Sequence, residues 1–171
     1  MISRRFLLTS GAAGLAVVAF GPGWRSAALV PGAFVPEAFA TETFAVTHTD
    51  AEWHKLLTPD QYAVLRESAT ERPFTSPLLH EERAGKFACA GCSLDLFSST
   101  TKFDSGTGWP SFWAPLPNAI QTSSDNSWIE TRTEVHCRRC GGHLGHVFDD
   151  GPKPTGLRYC MDGVALGFRP A

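Results

Sequence analysis

Two C-x-x-C pairs constrain this chain more than any other feature of its sequence. They are Cys89 with Cys92 and Cys137 with Cys140, and glycine lies within the first pair and directly after the second. Four thiolates from two such turns satisfy the tetrahedral coordination of Zn²⁺, and a closed set of four ligands is typical of a structural site. The pattern predicts one structural zinc ion per chain. Two disulfides, a redox motif, and iron in place of zinc are the alternatives.

The first forty residues have the pattern of a targeting segment. Arg4 and Arg5 precede an apolar run of about 15 residues, which resembles a twin-arginine export signal and is shorter than the roughly 20 residues that span a bilayer. Residues 38–40, Ala-Phe-Ala, fit a small-x-small cleavage site. We expect residues 1–40 to be a signal peptide and residues 41–171 to form one domain in the bacterial periplasm. An uncleaved membrane anchor is the alternative.

Cys160 is left over once the other four cysteines are assigned to a metal. An odd cysteine in an exported chain indicates a reactive thiol or an inert buried one. Arg158 lies two residues before it, and a nearby positive charge favours the thiolate, which is the attacking form. Cys160 is therefore a candidate nucleophile, with an inert thiol as the alternative.

The charge of the chain argues against a nucleic-acid partner. It has 15 Lys and Arg against 17 Asp and Glu, whereas a protein that neutralises phosphates is normally basic. With 43% hydrophobic residues, the chain can form the core of one globular domain. Because the sequence has no coiled-coil repeat, a monomer is expected.

Capping and periodicity signals predict short helices followed by strands. Residues 58–61, Thr-Pro-Asp-Gln, form a capping box with proline at the first helical position, and Asp50 is a candidate N-cap for an earlier helix. Residues 129–136 and 157–162 alternate apolar with polar side chains, as half-buried strands do. We expect an α+β fold that is mainly antiparallel sheet. One face of the second strand would carry three polar side chains, those of Arg158, Cys160 and Asp162.

Two histidines and a tryptophan are further candidates for a site. His143 and His146 closely follow the second cysteine pair, and imidazoles titrate near pH 7, which suits acid/base work or hydrogen-bond donation. Trp109 lies in a loop rich in glycine and proline, where its indole could form the wall of an apolar pocket. Histidines with a structural role and a tryptophan in the core are the alternatives.

Five segments carry a family resemblance through their order and spacing. They are residues 57–62, 70–74, 102–112, 143–152 and 156–160. Together they resemble the methionine-R-sulfoxide reductases of the B type, over roughly residues 52–168. The resemblance implies a fold of two antiparallel sheets with short N-terminal helices, and a four-cysteine zinc site remote from the active site. It also implies thiol-dependent reduction of methionine-R-sulfoxide, chiefly in oxidised proteins, as a repair of oxidative damage.

The resemblance assigns roles to residues by position. Cys160 matches the nucleophile, which attacks the sulfoxide sulfur and is left as a sulfenic acid, a reversible oxidation state. The expected site contains four more catalytic side chains and two that bind substrate: His143, His146, Arg158 and Asp162, then Trp109 and Phe148. The metal ligands are Cys89, Cys92, Cys137 and Cys140.

Two positions depart from the family pattern. Thr107 stands where many relatives carry a resolving cysteine, so we expect a thioredoxin-like protein or a small thiol to reduce Cys160 directly. Asp162 stands where the pattern has asparagine. A carboxylate beside a thiol raises the pKa of that thiol, and it donates a hydrogen bond only when protonated. We therefore expect Asp162 to shift the pH optimum downward.

Two other functions stay open on the sequence alone. A zinc-ribbon module that binds protein or nucleic acid would use the same four cysteines, although the acidity of the chain and the residues around Cys160 argue against it. A reductase fold in which Asp162 has lowered the activity would act as a sensor or scavenger.

Overall fold

The computed structural model of the protein describes residues 43–127 and 130–171. The expected signal peptide, residues 1–40, lies outside the described residues, as does Ile129 at the start of the first expected strand. Within the described ranges, no helix has the length and apolar character needed to cross a membrane.

Helix α1 (Asp50–Leu56) begins one residue earlier than its sequence indicates. Thr49 has the extended backbone of an N-cap, with φ −66° and ψ 158°, and its hydroxyl accepts from the N–H of Glu52. The expectation of Asp50 as N-cap is therefore wrong. Asp50 is the first helical residue instead, where its negative charge interacts favourably with the helix dipole.

Helix α2 (Pro59–Glu67) begins as expected. The hydroxyl of Thr58 accepts from the N–H of Gln61, and the Gln61 side chain accepts from the N–H of Thr58, so that the capping box is complete. Val64 and Leu65 are buried on its inner face. The helix thereby contributes to the core through one face only.

Nine strands follow within the described residues. They are β1 (Gly85–Cys89), β2 (Asp95–Ser98), β3 (Lys102–Phe103), β4 (Ser111–Phe112), β5 (Ile120–Asp125), β6 (Arg132–Cys137), β7 (His143–Phe148), β8 (Arg158–Met161) and β9 (Leu166–Pro170). They form two antiparallel sheets, with strand orders β2-β1-β9 and β3-β4-β8-β7-β6-β5. The expected fold, mainly β with two antiparallel sheets and short N-terminal helices, is confirmed.

Aromatic side chains from both sheets form the centre of the core. Phe97 and Phe112 stack with ring centroids 4.4 Å apart, and Phe87 meets Phe112 edge-on at 4.9 Å. All three are fully buried. Because Phe87 and Phe97 belong to the smaller sheet and Phe112 to the larger one, this cluster holds the two sheets together.

The larger sheet places Cys160 between two polar residues of its neighbouring strands. On β8, Cys160 pairs with Ser111 of β4 on one side and with His146 of β7 on the other. Directly paired residues of an antiparallel sheet point to the same face. The strand register therefore brings the Cys160 thiol, a hydroxyl and an imidazole to one face of the sheet.

Candidate functional site

Cys160 lies half-buried beside a chain of hydroxyl groups. Its Sγ is 3.8 Å from Oγ1 of Thr107. The hydroxyl of Ser105 joins Thr107 to Ser111 through two hydrogen bonds of 2.8 Å. The loop before β4 therefore surrounds the sulfur with groups that can donate hydrogen bonds to a thiolate or to an oxygen bound to it.

Burial has the largest effect on the Cys160 thiol and raises its pKa. The hydrogen bond with Thr107 and the charge of Arg158 lower this pKa, whereas the charge of Asp162 raises it. The expected effect of Arg158 thus has the right direction, but burial outweighs it. The Cys160 thiol therefore stays protonated to a higher pH than an exposed cysteine does.

Arg158 is fixed by two groups on its own side of the sheet. Its guanidinium donates to both carboxylate oxygens of Asp150, from Nε at 2.8 Å and from Nη2 at 2.7 Å. The guanidinium carbon also lies 4.4 Å from the ring centroid of Phe148. The Phe148 ring therefore supports Arg158, and its role in binding substrate stays a prediction.

Each of the two histidines is paired with a carboxylate of the β5–β6 hairpin. His143 Nδ1 lies 2.7 Å from Oε1 of Glu134, and His146 Nε2 lies 2.8 Å from Oδ2 of Asp125. Burial lowers the pKa of His146, although the hydrogen bond with Asp125 opposes this effect. The sequence analysis missed both acidic partners. Glu134 could have been found, because it lies on the predicted strand, whereas nothing local distinguishes Asp125.

Asp162 is almost fully buried, at 3% exposure, directly after β8. This burial raises the pKa of Asp162 to about 7, although the N–H of Glu71 donates to its Oδ1 at 2.8 Å and opposes the rise. Its Oδ2 lies 3.8 Å from Nε2 of His143, a buried nitrogen with no hydrogen-bond partner among the described residues. Asp162 is therefore a neutral carboxylic acid below about pH 7.

Glu71 connects Asp162 to the tryptophan. Its backbone N–H donates to Asp162, and its carbonyl oxygen accepts from Nε1 of Trp109 at 2.9 Å. Its carboxylate accepts from the N–H of Gly163 at 2.7 Å. No sequence signal identified Glu71, because its partners are 38 to 92 positions away along the chain. Glu71 therefore links the Trp109 loop to the end of β8 through hydrogen bonds.

The predicted catalytic residues and Trp109 therefore belong to one connected region. Phe148 joins this region only through its contact with Arg158. Cys160 interacts electrostatically with Arg158 and Asp162, and Asp162 lies beside His143. The His143 and His146 rings are 5.4 Å apart. The individual roles of these residues stay predictions.

The other four cysteines form a separate cluster, in which all four sulfurs lie within 4.8 Å of one another. Sγ of Cys89 is 3.7 Å from Sγ of Cys140, and Sγ of Cys92 is 3.5 Å from Sγ of Cys137. Four ligands at about 2.3 Å from a tetrahedral metal ion would be about 3.8 Å apart. A disulfide requires about 2.05 Å, and all five cysteines are free, so the disulfide alternative is wrong. The four residues can hold a metal ion.

Helix α2 and two glycines enclose this cluster. A Cβ on Gly91 would lie 3.6 Å from a methyl carbon of Leu65, and one on Gly142 would lie 2.9 Å from the other methyl carbon. Arg66 of the same helix donates from Nη1 to the carbonyl oxygen of Cys140 at 3.0 Å. The glycine at 142 therefore allows the helix to pack against the second turn, whereas a Cβ at Gly91 would make only ordinary contacts.

The fold and these two sites define the class: a β-rich protein with one lone thiol in a polar site and a separate cluster of four cysteines that can hold a metal ion. The SelR domain family matches residues 57–170 of the chain. The peptide methionine sulfoxide reductase MsrB of Agrobacterium fabrum is 52% identical over 126 residues, covering 73% of this chain and 93% of that protein.

Two further relatives have the same description. That of Methanosarcina barkeri is 52% identical over 126 residues, covering 73% of this chain and 89% of that protein. That of Leifsonia xyli is 54% identical over 127 residues, covering 73% of this chain and 91% of that protein. The chain belongs to the SelR-domain family of peptide methionine sulfoxide reductases, which confirms the resemblance seen in its sequence.

Proposed function

We propose that this protein reduces methionine-R-sulfoxide in oxidised proteins to methionine, with Cys160 as the nucleophile. The observation that carries the proposal is the position of the Cys160 thiol. It contacts the hydroxyl of Thr107 and interacts electrostatically with Asp162, which lies 3.8 Å from His143, in a chain of the SelR-domain family. A zinc-ribbon binding module would need no such thiol outside its metal ligands.

The chemical step transfers one oxygen atom to Cys160. The Sγ thiolate attacks the sulfoxide sulfur and forms a sulfur–sulfur bond. The oxygen then moves to Sγ, so that the sulfur–oxygen bond of the substrate and the sulfur–sulfur bond both break, methionine leaves, and Cys160 is left as a sulfenic acid. The substrate sulfur is reduced by two electrons and Cys160 is oxidised by two. Arg158 stabilises the thiolate through its charge, and Thr107 stabilises it through its hydroxyl.

The oxygen needs a proton as its bond to sulfur breaks, and Asp162 is the group we assign to donate it. Its carboxyl is neutral below about pH 7 because of its burial. His143, with Nε2 3.8 Å from Oδ2 of Asp162, can return a proton to the carboxylate. Asp162 thus replaces the amide donor of the family pattern with an acid that works only while it is protonated.

Trp109 is the group we assign to recognise the methyl side of the substrate. Its indole N–H donates to the carbonyl oxygen of Glu71, which fixes the ring plane, and we assign an apolar face of the ring to the methyl group. A sulfoxide sulfur is chiral. A pocket with an apolar wall on one side and a proton donor on the other accepts one epimer and rejects the other.

External thiols complete the cycle. Thr107 occupies the position of a resolving cysteine, and the remaining four cysteines are assigned to the metal. One thiol attacks the sulfenic acid with release of water, and a second reduces the mixed disulfide. We assign this role to a thioredoxin-like protein or a small thiol in the periplasm, where the proposed signal peptide would direct the enzyme as a monomer.

Zinc is the metal that we propose for the four-cysteine cluster. Four thiolates at tetrahedral spacing suit Zn²⁺, and a closed shell of protein ligands leaves no position for substrate. Bound zinc would cross-link β1 to the end of β6, and hence the smaller sheet to the larger one. Its contribution is to stability.

The first test is turnover of the separated R and S epimers of N-acetylmethionine sulfoxide with dithiothreitol. We expect reduction of one epimer alone, because one wall of the proposed pocket is apolar and the other donates protons, and the family resemblance implies that it is the R epimer. Cys160→Ser should lower this rate by at least about 1,000-fold, since the hydroxyl is a much weaker nucleophile. Turnover of the S epimer, or a fully active Cys160→Ser variant, would contradict the proposal.

The one-cysteine cycle predicts a trapped sulfenic acid. After one equivalent of substrate without reductant, mass spectrometry with a sulfenic-acid probe should label Cys160 in the wild type. In Thr107→Cys it should detect a disulfide with Cys160 instead, because the wild-type Oγ1 is only 3.8 Å from Sγ. Thr107→Ser is the matched control and should behave as the wild type. A disulfide between Cys160 and any native cysteine would rule out this cycle.

Asp162 predicts a characteristic pH dependence. As the pH rises through about 7, the carboxyl ionises, loses the proton that it donates and raises the pKa of Cys160. Asp162→Asn keeps a neutral donor at all pH values. The ratio of variant to wild-type kcat should therefore rise about tenfold between about pH 6 and pH 8, as a group with a pKa near 7 deprotonates. Superimposable pH–rate profiles would show that Asp162 has no such role.

The structural role of zinc predicts that losing one ligand costs stability. Purified protein should contain one zinc ion per chain by elemental analysis. Cys92→Ser should lose the ion and lower the Tm by about 10 °C or more. Cys160→Ser is the control, because it also removes a thiol but leaves the four ligands intact. Retention of zinc and of the wild-type Tm in Cys92→Ser would contradict this role.

A further inference from the structure

A groove of about 440 Å³ lies next to the proposed active site. Gly106 and Gly108 line it, and Thr107, between these two glycines, contacts Sγ of Cys160. Trp109 follows directly. One loop therefore borders both the groove and the thiol site. A polypeptide whose oxidised methionine reaches Cys160 passes this loop with its neighbouring residues.

Phe74 is an exposed aromatic residue on the wall of this groove. It is 68% exposed, and its backbone has φ 64°, a conformation that costs free energy for a bulky side chain. Its N–H donates to the carbonyl oxygen of Gly108 at 2.7 Å, and a Cβ on Gly108 would lie 2.8 Å from the Phe74 ring. The loop of the thiol site thus holds Phe74 in place, with its ring towards solvent. The exposed Phe74 ring can therefore contact apolar atoms of a ligand in the groove.

The charges that line the groove are mainly negative. Glu81, Glu82 and Asp104 contribute carboxylates, and Lys102 contributes the one basic side chain other than histidine among the described lining residues. The Lys102 ammonium donates to the carbonyl oxygen of Leu79 at 2.8 Å, and burial lowers its pKa. Glu82 and Asp104 are exposed. The Glu81 carboxylate is paired with Arg83 at 2.6 Å. A ligand in the groove therefore meets the aromatic rings of Phe74 and Phe103 and the exposed carboxylates of Glu82 and Asp104.

We propose that this groove binds the polypeptide that flanks the oxidised methionine, and that it favours substrates with a lysine or arginine near that methionine. The inference rests on the proposed function and specifies its substrate class. Phe74 would contact apolar atoms of the bound chain, and Glu82 and Asp104 would pair with its basic side chain. Continuity of the groove with the thiol site and the sign of its charge support a substrate chain as the occupant.

The test compares peptides with a small substrate, using dithiothreitol as reductant throughout. The peptides form two matched series, and each peptide contains one methionine-R-sulfoxide. In the first series, lysine, glutamine or glutamate occupies positions two to four before it. In the second series, the same residues occupy positions two to four after it. Each kcat/KM is divided by that of N-acetylmethionine-R-sulfoxide, which is too short to reach the groove. In the series whose variable residues reach the groove, this ratio should be about two- to fivefold higher for the lysine peptide than for the glutamine peptide. The ratio for the glutamate peptide should be lower than that for the glutamine peptide. The preference should weaken in about 0.5 M NaCl, because salt screens exposed charges.

Variants locate the effect in the groove. Glu82→Lys should reverse the preference, whereas Glu130→Lys, the same charge change at an exposed residue outside the groove lining, should not. Phe74→Ala should lower the ratio for every peptide, by about tenfold if its ring is buried by the substrate. Because each value is a ratio, a variant that merely disturbs the thiol-site loop lowers both rates and leaves the ratio unchanged.

The outcomes separate this inference from the proposed function. Turnover of the small substrate with equal ratios for all peptides would overturn the groove proposal alone, as would an equal response of Glu82→Lys and Glu130→Lys. A separate control series with a thioredoxin-like protein in place of dithiothreitol tests the other occupant: an effect of Glu82→Lys seen only in that series would assign the groove to the reductant and overturn the proposal. Absence of turnover of any substrate by the folded wild type would contradict the proposed function, and the groove proposal with it.

Discussion

The pairing of three neighbouring strands determines the geometry of the thiol site. Cys160 on β8 is aligned with Ser111 on β4 and with His146 on β7, and a slip of one residue would turn its side chain to the opposite face. Gly145 makes this alignment possible. Its φ is +141°, and a Cβ there would lie 2.2 Å from the carbonyl oxygen of Cys160, so a side chain would force β7 and β8 apart. The requirement for glycine at 145 is therefore a requirement of the site as much as of the sheet.

Carboxylates hold the basic side chains around this thiol. Asp150 binds the guanidinium of Arg158 in two places, and Glu134 and Asp125 each bind one of the two histidines. Such pairing fixes the orientation of each side chain, and the Asp150 carboxylate also offsets the positive charge of Arg158, which lowers the pKa of the nearby thiol. Burial consequently dominates, and the Cys160 thiol has a raised pKa. The arrangement favours fixed geometry over a permanently ionised nucleophile.

The sequence predicts those features whose determinants are close together along the chain. The capping box of α2, the β8 strand and the two cysteine turns each depend on residues within a few positions of one another, and the structure contains all of them. Glu71 and Asp125 could not be found in this way. Their partners lie 91 and 21 positions away, so that only the folded sheet brings them together. The N-cap of α1 was misplaced because Thr49 and Asp50 are both good capping residues, and the backbone selects between them.

A raised thiol pKa is compatible with sulfoxide reduction because the reaction conserves protons. A thiol and a sulfoxide give a sulfenic acid and a thioether. The thiol therefore releases one proton, and the departing oxygen takes up one proton. The proposed donor, Asp162, is itself nearly half protonated at neutral pH and lies beside a buried imidazole nitrogen. A proton can therefore pass from the thiol to the oxygen within the site, while the buried thiol stays protonated, and hence unreactive towards disulfides, until a sulfoxide is bound. In an oxidising compartment, that restraint would protect the one cysteine on which turnover depends.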